Sequence, residues 1–217
     1  MVARGNEPLR IALYSGVWVR HDGISNSLGV KVDLFDRLAG HGCPVSLTIF
    51  VQGSDSPDPR VRVHGDLPSL LSDPAFHAAD VHVFEFGIAY SLFDALMLLD
   101  PAALTEGEFH NVTPPELAAD VRERRTLERS LRQRHHFAEA RHVMCDSEFN
   151  REELLAIGLD ADDLSVVHLP YERFADVVPS TRSVAPDGPV RFIYVGRLVG
   201  AKGIFELLAA PRQLAAS

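Results

Sequence analysis

V-R-F-I-Y-V-G-R-L-V-G-A-K-G-I-F-E-L-L, from Val190 to Leu208, runs an apolar strand pattern into a glycine-spaced turn and then into a helical pattern. Backbone N–H groups at the start of a helix point at an anion, glycines let the main chain come close, and nearby cations cancel charge. Arg197 and Lys202 supply those cations, so the turn has the make-up of a diphosphate site. A magnesium-dependent P-loop is excluded, because Ala201 stands where its second glycine would be and Gly203 where its Ser or Thr would be. A phosphate-binding strand-turn-helix opens a nucleotide domain, yet only one helix follows before Ser217. Pro211 falls inside that helix, and the loss of its N–H there costs roughly 3 kcal/mol, so the spacing predicts a helix ending before it.

Upstream, apolar strands alternate with helical patterns, the order of a parallel sheet with crossover helices. The strands are predicted over 10–16, 45–51, 61–64, 81–86, 142–145 and 164–169, with a strand end at 109–111. After a polar loop at 21–26, Leu28, Val32, Phe35 and Leu38 recur at helical spacing until Gly40. A long charged helix is expected from about 115 to 140. A further one is capped by Asn150 with Glu153 and stopped by Gly158. Residues 178–189, V-P-S-T-R-S-V-A-P-D-G-P, are rich in proline and polar groups and read as an interdomain linker. The division is therefore 1–177 as a Rossmann-like domain with flanking helices, 178–189 as linker, and 190–217 as one βα unit of a truncated second domain.

The 217 residues are 46% hydrophobic and 24% charged, values typical of a globular chain. With 21 basic and 30 acidic residues the formal net charge is −9, the opposite of a nucleic-acid footprint. The two cysteines, Cys43 and Cys145, show no metal or redox spacing and are expected to be reduced and buried. No signal-like core opens the chain and no run of 18 apolar residues occurs, so a cytoplasmic location is expected.

Four segments together resemble a known family: H-D-G-I-S-N-S at 21–27, F-H-N-V-T-P-P at 109–115, M-C-D-S-E-F-N at 144–150 and V-G-R-L-V-G-A-K-G at 195–203. Their order and spacing are similar to those of the retaining glycosyltransferases of family 4, which have the GT-B fold, and the resemblance runs from about Arg10 to Leu208. It implies two Rossmann-like domains facing across a cleft, the first for an acceptor glycan or lipid and the second for a nucleotide-sugar donor. Negative charge then grows on the leaving diphosphate in the transition state, and preorganised cations lower the barrier without a bound metal or other cofactor. Arg197 and Lys202 match the diphosphate clamp. His110 matches a histidine that contacts the transferred sugar; as a neutral imidazole it would make that contact pH-sensitive. Gly23 resembles a glycine that lets backbone approach the donor phosphate, although Asp22-Gly23 replaces the commoner glycine pair. Most of the donor domain, including a pair of glutamates eight residues apart, has no counterpart here. The parent activity implied is retaining glycosyl transfer, in a chain incomplete and inactive alone; a non-catalytic acceptor-binding or regulatory module is the alternative.

Other residues carry less. Glu85, in V-F-E-F-G, follows a buried strand and could read an acceptor hydroxyl or be a satisfied strand-end carboxylate. His135, His136 and His142 lack the i, i+4 spacing of a zinc helix. Between Asp120 and His142 stand seven arginines (122, 124, 125, 129, 132, 134 and 141) against four acids. That asymmetry fits either peripheral contact at the inner membrane face or a solvated face with pairs such as Glu128 and Arg132.

Overall fold

The computed structural model describes residues 7–169, 193–196 and 198–214. Seven strands form one all-parallel sheet: β1 (Leu9–Trp18), β2 (Val45–Ser54), β3 (Val61–Val63), β4 (Val81–Phe86), β5 (Leu104–Phe109), β6 (His142–Cys145) and β7 (Leu164–Val166). Their order across the sheet is β3-β2-β1-β4-β5-β6-β7. The chain builds outward from β1 to β3 and then returns to the other side of β1 with β4. The topological switch point therefore lies between β1 and β4, where open α/β sheets leave a crevice at the carboxyl ends of the strands.

Side chains alternate across each strand, so the sheet packs on both faces. Ile11 and Leu13 of β1, with Ile49 and Val51 of β2 and Val83 of β4, meet Leu28 and Val32 of α1 (Gly23–Gly40). Ala12, Tyr14, Phe50, Phe84 and Phe86 face the other way. There they pack with Leu70 of α2 (Leu67–Leu71), Phe76 of α3 (Pro74–Ala78), Leu127 of α4 (Val121–Gln133) and Leu154 of α5 (Glu148–Leu155). Phe93 and Phe137, from two 3-10 segments, complete this layer with edge-on contact to each other at 5.0 Å.

The strands expected between residues 10 and 169 are present, and the differences there lie at their ends and between them. Asp22 caps α1 by accepting from Ser25 N, so the helix starts inside the segment expected as loop. β5 is a full strand although only its end was legible, because Glu106, Gly107 and Glu108 break the apolar run. The long charged helix divides into a 3-10 turn at Pro115–Leu117, α4, and a 3-10 segment at Arg134–Glu139. α5 is capped by Ser147, whose Oγ accepts from Asn150 N, and not by Asn150. Cys145 is buried as expected, but Cys43 is exposed in the turn after α1, where no sheet covers it.

The linker expected at 178–189 lies outside the described residues, as does the first part of the strand expected at 190–195. Residues 193–195 carry no strand assignment. A 3-10 turn at Gly200–Lys202 ends at Gly203, whose φ of 71° is the left-handed conformation that glycine tolerates, and α6 (Ile204–Leu214) follows. This helix continues through Pro211, where the sequence predicts a stop. Ile193 and Val195 are 87% exposed, and Phe205 and Leu208 are exposed as well.

Candidate functional site

Three consecutive strands of the sheet's second half finish with an acid at the same edge: Glu85 near the end of β4, Glu108 near the end of β5 and Asp146 just past β6. Parallel register sets Glu85 directly beside Glu108. Both carboxylates are buried, so each needs a cation or several donors to remain charged. Lys31 descends from α1 to supply one cation. Its Nζ lies 2.8 Å from Glu85 Oε1, forms a shorter ion pair with Glu108 Oε2, and donates to Ser27 Oγ at 2.9 Å. Ser27, one helical turn earlier, donates to Glu108 Oε1 at 3.2 Å.

His110, immediately beyond β5, is the second cation. Its Nε2 donates to Glu85 Oε2 at 2.6 Å and its Nδ1 to Asp146 Oδ2 at 2.9 Å. An imidazole with a carboxylate on each nitrogen must carry both protons. Burial works against that charge, but the hydrogen bonds to Asp146 and Glu85, with the field of Glu108, outweigh it and push the pKa up to about 10. The ring is thus an imidazolium, not the neutral, pH-sensitive imidazole expected from sequence. Asn111 follows in the left-handed region, φ 71°, and its side-chain oxygen accepts from Val112 N, turning the chain away from the strand directly after the histidine.

The carboxylates divide by environment. Burial favours protonation of Glu85, yet His110 and Lys31 prevail and hold it below the ordinary carboxylate value. Glu108 goes the other way: burial and the adjacent Glu85 raise it more than Lys31 and His110 lower it. Lys31 is held above its usual value because the two glutamates overcome its own desolvation.

A crevice of about 280 Å³ opens at the switch point, walled by Ser15, Gly16 and Val17 from β1, Asp22 and Ile24 at the start of α1, and Gln52, Glu85 and the 87–90 turn. Glu85 is therefore both the centre of the buried network and part of the crevice wall. Its Oε1 is buried and faces Lys31 as an ion pair with no well-directed hydrogen bond among the described residues. The opposite wall is fixed from behind. Ala89 N donates to Ser130 Oγ at 2.8 Å, and the Gln133 amide accepts from Tyr90 N at 3.1 Å and donates to Tyr90 O at 2.9 Å. Gln52 Oε1 accepts from Ser91 N at 3.1 Å. At Gly87 a Cβ would run into the tip of Ile24 and crowd His110 and the Asn111 carbonyl, so the turn passes close to the network only because this residue is glycine.

The structure brings together two of the five residues singled out in the sequence, Glu85 and His110. Gly23 starts α1, and a Cβ there would meet nothing within 4 Å. The helix start beside it is already occupied by the Asp22 carboxylate. Lys202 is exposed in the 3-10 turn before α6. Arg197 lies outside the described residues. Lys31, Glu108, Asp146 and Ser27 were not singled out, though an acid at the end of three successive strands was a readable signal.

Ligand atoms of Glu85, Glu108 and His110 lie within 4.8 Å of one another, a grouping that could hold a metal ion. The charges present argue for a different use, since Lys31 Nζ bridges the two glutamates and the His110 nitrogen that would ligate carries a proton to Glu85. No family model matches the chain, and no match was found among curated proteins or solved structures.

Proposed function

We propose that this chain carries the acceptor side of a retaining glycosyltransferase that uses a nucleotide-sugar, and that the crevice between β1 and β4 receives a hydroxyl-bearing acceptor, a glycan or the sugar of a lipid. The observation that carries the reading is the position of Glu85: a buried carboxylate, held charged by Lys31 and His110, in the wall of a preformed crevice at the switch point. A carboxylate suits a sugar hydroxyl because it accepts strong, charge-assisted hydrogen bonds. Asp22 and Glu85 also make the crevice unfavourable for an anion. In this reading the donor diphosphate belongs to Arg197 and Lys202 in the 190–217 segment, as the family resemblance implies, and His110 acts by positioning Glu85. The GT-B architecture and the second domain are part of the same proposal.

A second reading, a non-catalytic acceptor-binding or regulatory module, is favoured by one observation. Both nitrogens of His110 are taken by carboxylates, so its ring has no N–H left to offer a transferred sugar.

Saturation-transfer NMR with a panel of mono- and disaccharides tests the proposal. Binding by the wild-type chain that is lost in a folded Glu85→Gln variant supports a sugar site at the crevice; the absence of any sugar binding contradicts it. Adding a nucleotide-sugar separates the two readings, since product formation supports transfer and unchanged sugars support the binding module.

A further inference from the structure

The inner and outer faces of α4 have different chemistry. Leu127, Ser130 and Gln133 are buried, and the last two hold the crevice wall at Ala89 and Tyr90. At helical spacing, the opposite side presents Arg122, Arg125, Arg129 and Arg132, all exposed, with exposed Val121 beside them and exposed Leu117 in the preceding turn. Elsewhere in this segment arginines are engaged: Arg134 Nη1 pairs with Glu153 Oε2 at 2.7 Å, and Arg124 Nε donates to the Pro115 carbonyl at 3.3 Å. The four outward arginines make no side-chain hydrogen bond or ion pair among the described residues. The pairing of Glu128 with Arg132 expected from their i, i+4 spacing is likewise not formed.

A stripe of four free arginines on a chain of net charge −9 is an electrostatic opposite to the rest of the molecule. We propose that the outward face of α4 docks on the anionic headgroups of a membrane surface. Arginine forks engage lipid phosphates, and Val121 and Leu117 add shallow apolar contact at one end of the stripe. Nucleic acid fits less well, because a long polyanion would also run against the surrounding acidic surface. Docking in this way sets the membrane about one helix diameter, roughly 10 Å, from the crevice wall that the inner face of α4 supports.

The test is flotation of the full chain with vesicles of phosphatidylcholine alone and of phosphatidylcholine with one phosphatidylglycerol in three. Binding is expected only with the anionic vesicles and is expected to weaken as salt is raised. Each basic residue near an anionic leaflet strengthens partitioning about fivefold, so Arg125→Gln with Arg129→Gln should weaken it about 30-fold. The same two positions changed to Lys should retain most of it. Circular dichroism checks that both variants are folded. Equal binding to neutral vesicles, or an unchanged partition in the glutamine variant, overturns the proposal. Tighter binding to duplex RNA than to anionic vesicles at the same salt also overturns it.

Discussion

His110 Nε2 and Glu85 Oε2 lie 2.6 Å apart, joining the residue that follows β5 to the end of β4. With Asp146 on the other ring nitrogen, this makes the histidine a cation between two carboxylates through neutral pH. The side chains of His110 and Glu85 are both buried, so the pair is sealed behind the crevice wall and the ring has no free N–H to offer a ligand.

Removing the other cation should show how much the network depends on charge balance. Lys31→Met leaves Glu85 and Glu108 buried side by side, and breaking a buried pair in this way costs about 3–5 kcal/mol. Adding Glu108→Gln removes one of the opposed charges and should restore a large part of the loss. Urea unfolding of the single and double variants measures the coupling; additive losses would show that Lys31 does not act on Glu108.

The two buried histidines set opposite limits on stability with pH. His110 is raised to about 10, so its stabilisation is complete below the unfolded value near 6.5 and is lost as pH rises through 10. His82, pushed down to about 4 by burial and hydrogen-bonded to the Tyr14 hydroxyl at 2.8 Å, stays neutral when the unfolded chain would bind a proton. Stability therefore falls as pH drops from about 6.5 towards 4. Glu85, held low, adds to the acid loss below its unfolded value, while Glu108, held high, opposes it. The expected profile of unfolding midpoints peaks near pH 6.5. His82→Phe should flatten the acid limb and His110→Gln the alkaline one; a plateau from pH 5 to 9 in the wild type would contradict both assignments.

Gly107 lies on the face of β5 that meets the aromatic layer, and a Cβ there would overlap the Phe137 ring. Gly107→Ala should cost about 1–3 kcal/mol from overpacking, and Phe137→Leu should relieve part of it. Thermal unfolding of the two single variants and the double variant checks this coupling.

Apolar runs and helical spacing were enough to find most strands and the first helix, because those signals are local. β5 was recognised only at its end: its two glutamates look misplaced in a strand until the register brings Glu108 beside Glu85 and Glu106 beside His142. Lys31 was illegible for a related reason, since a lysine in an amphipathic helix reads as solvated unless the buried acids beneath it are known. Glu85 and His110 were legible as residues but not as a pair. Their relationship needs two strands in parallel register, which no spacing along the chain encodes.

The measurement that bears most directly on the account is a ¹⁵N NMR titration of the His110 ring in the intact chain. The account predicts imidazolium shifts at both nitrogens through neutral pH, with titration centred near 10, and a fall of that midpoint in Glu85→Gln. A single neutral tautomer at pH 7, titrating near 6.5 as an ordinary histidine does, would contradict the charged clamp and the assignment of Glu85 as the group it positions.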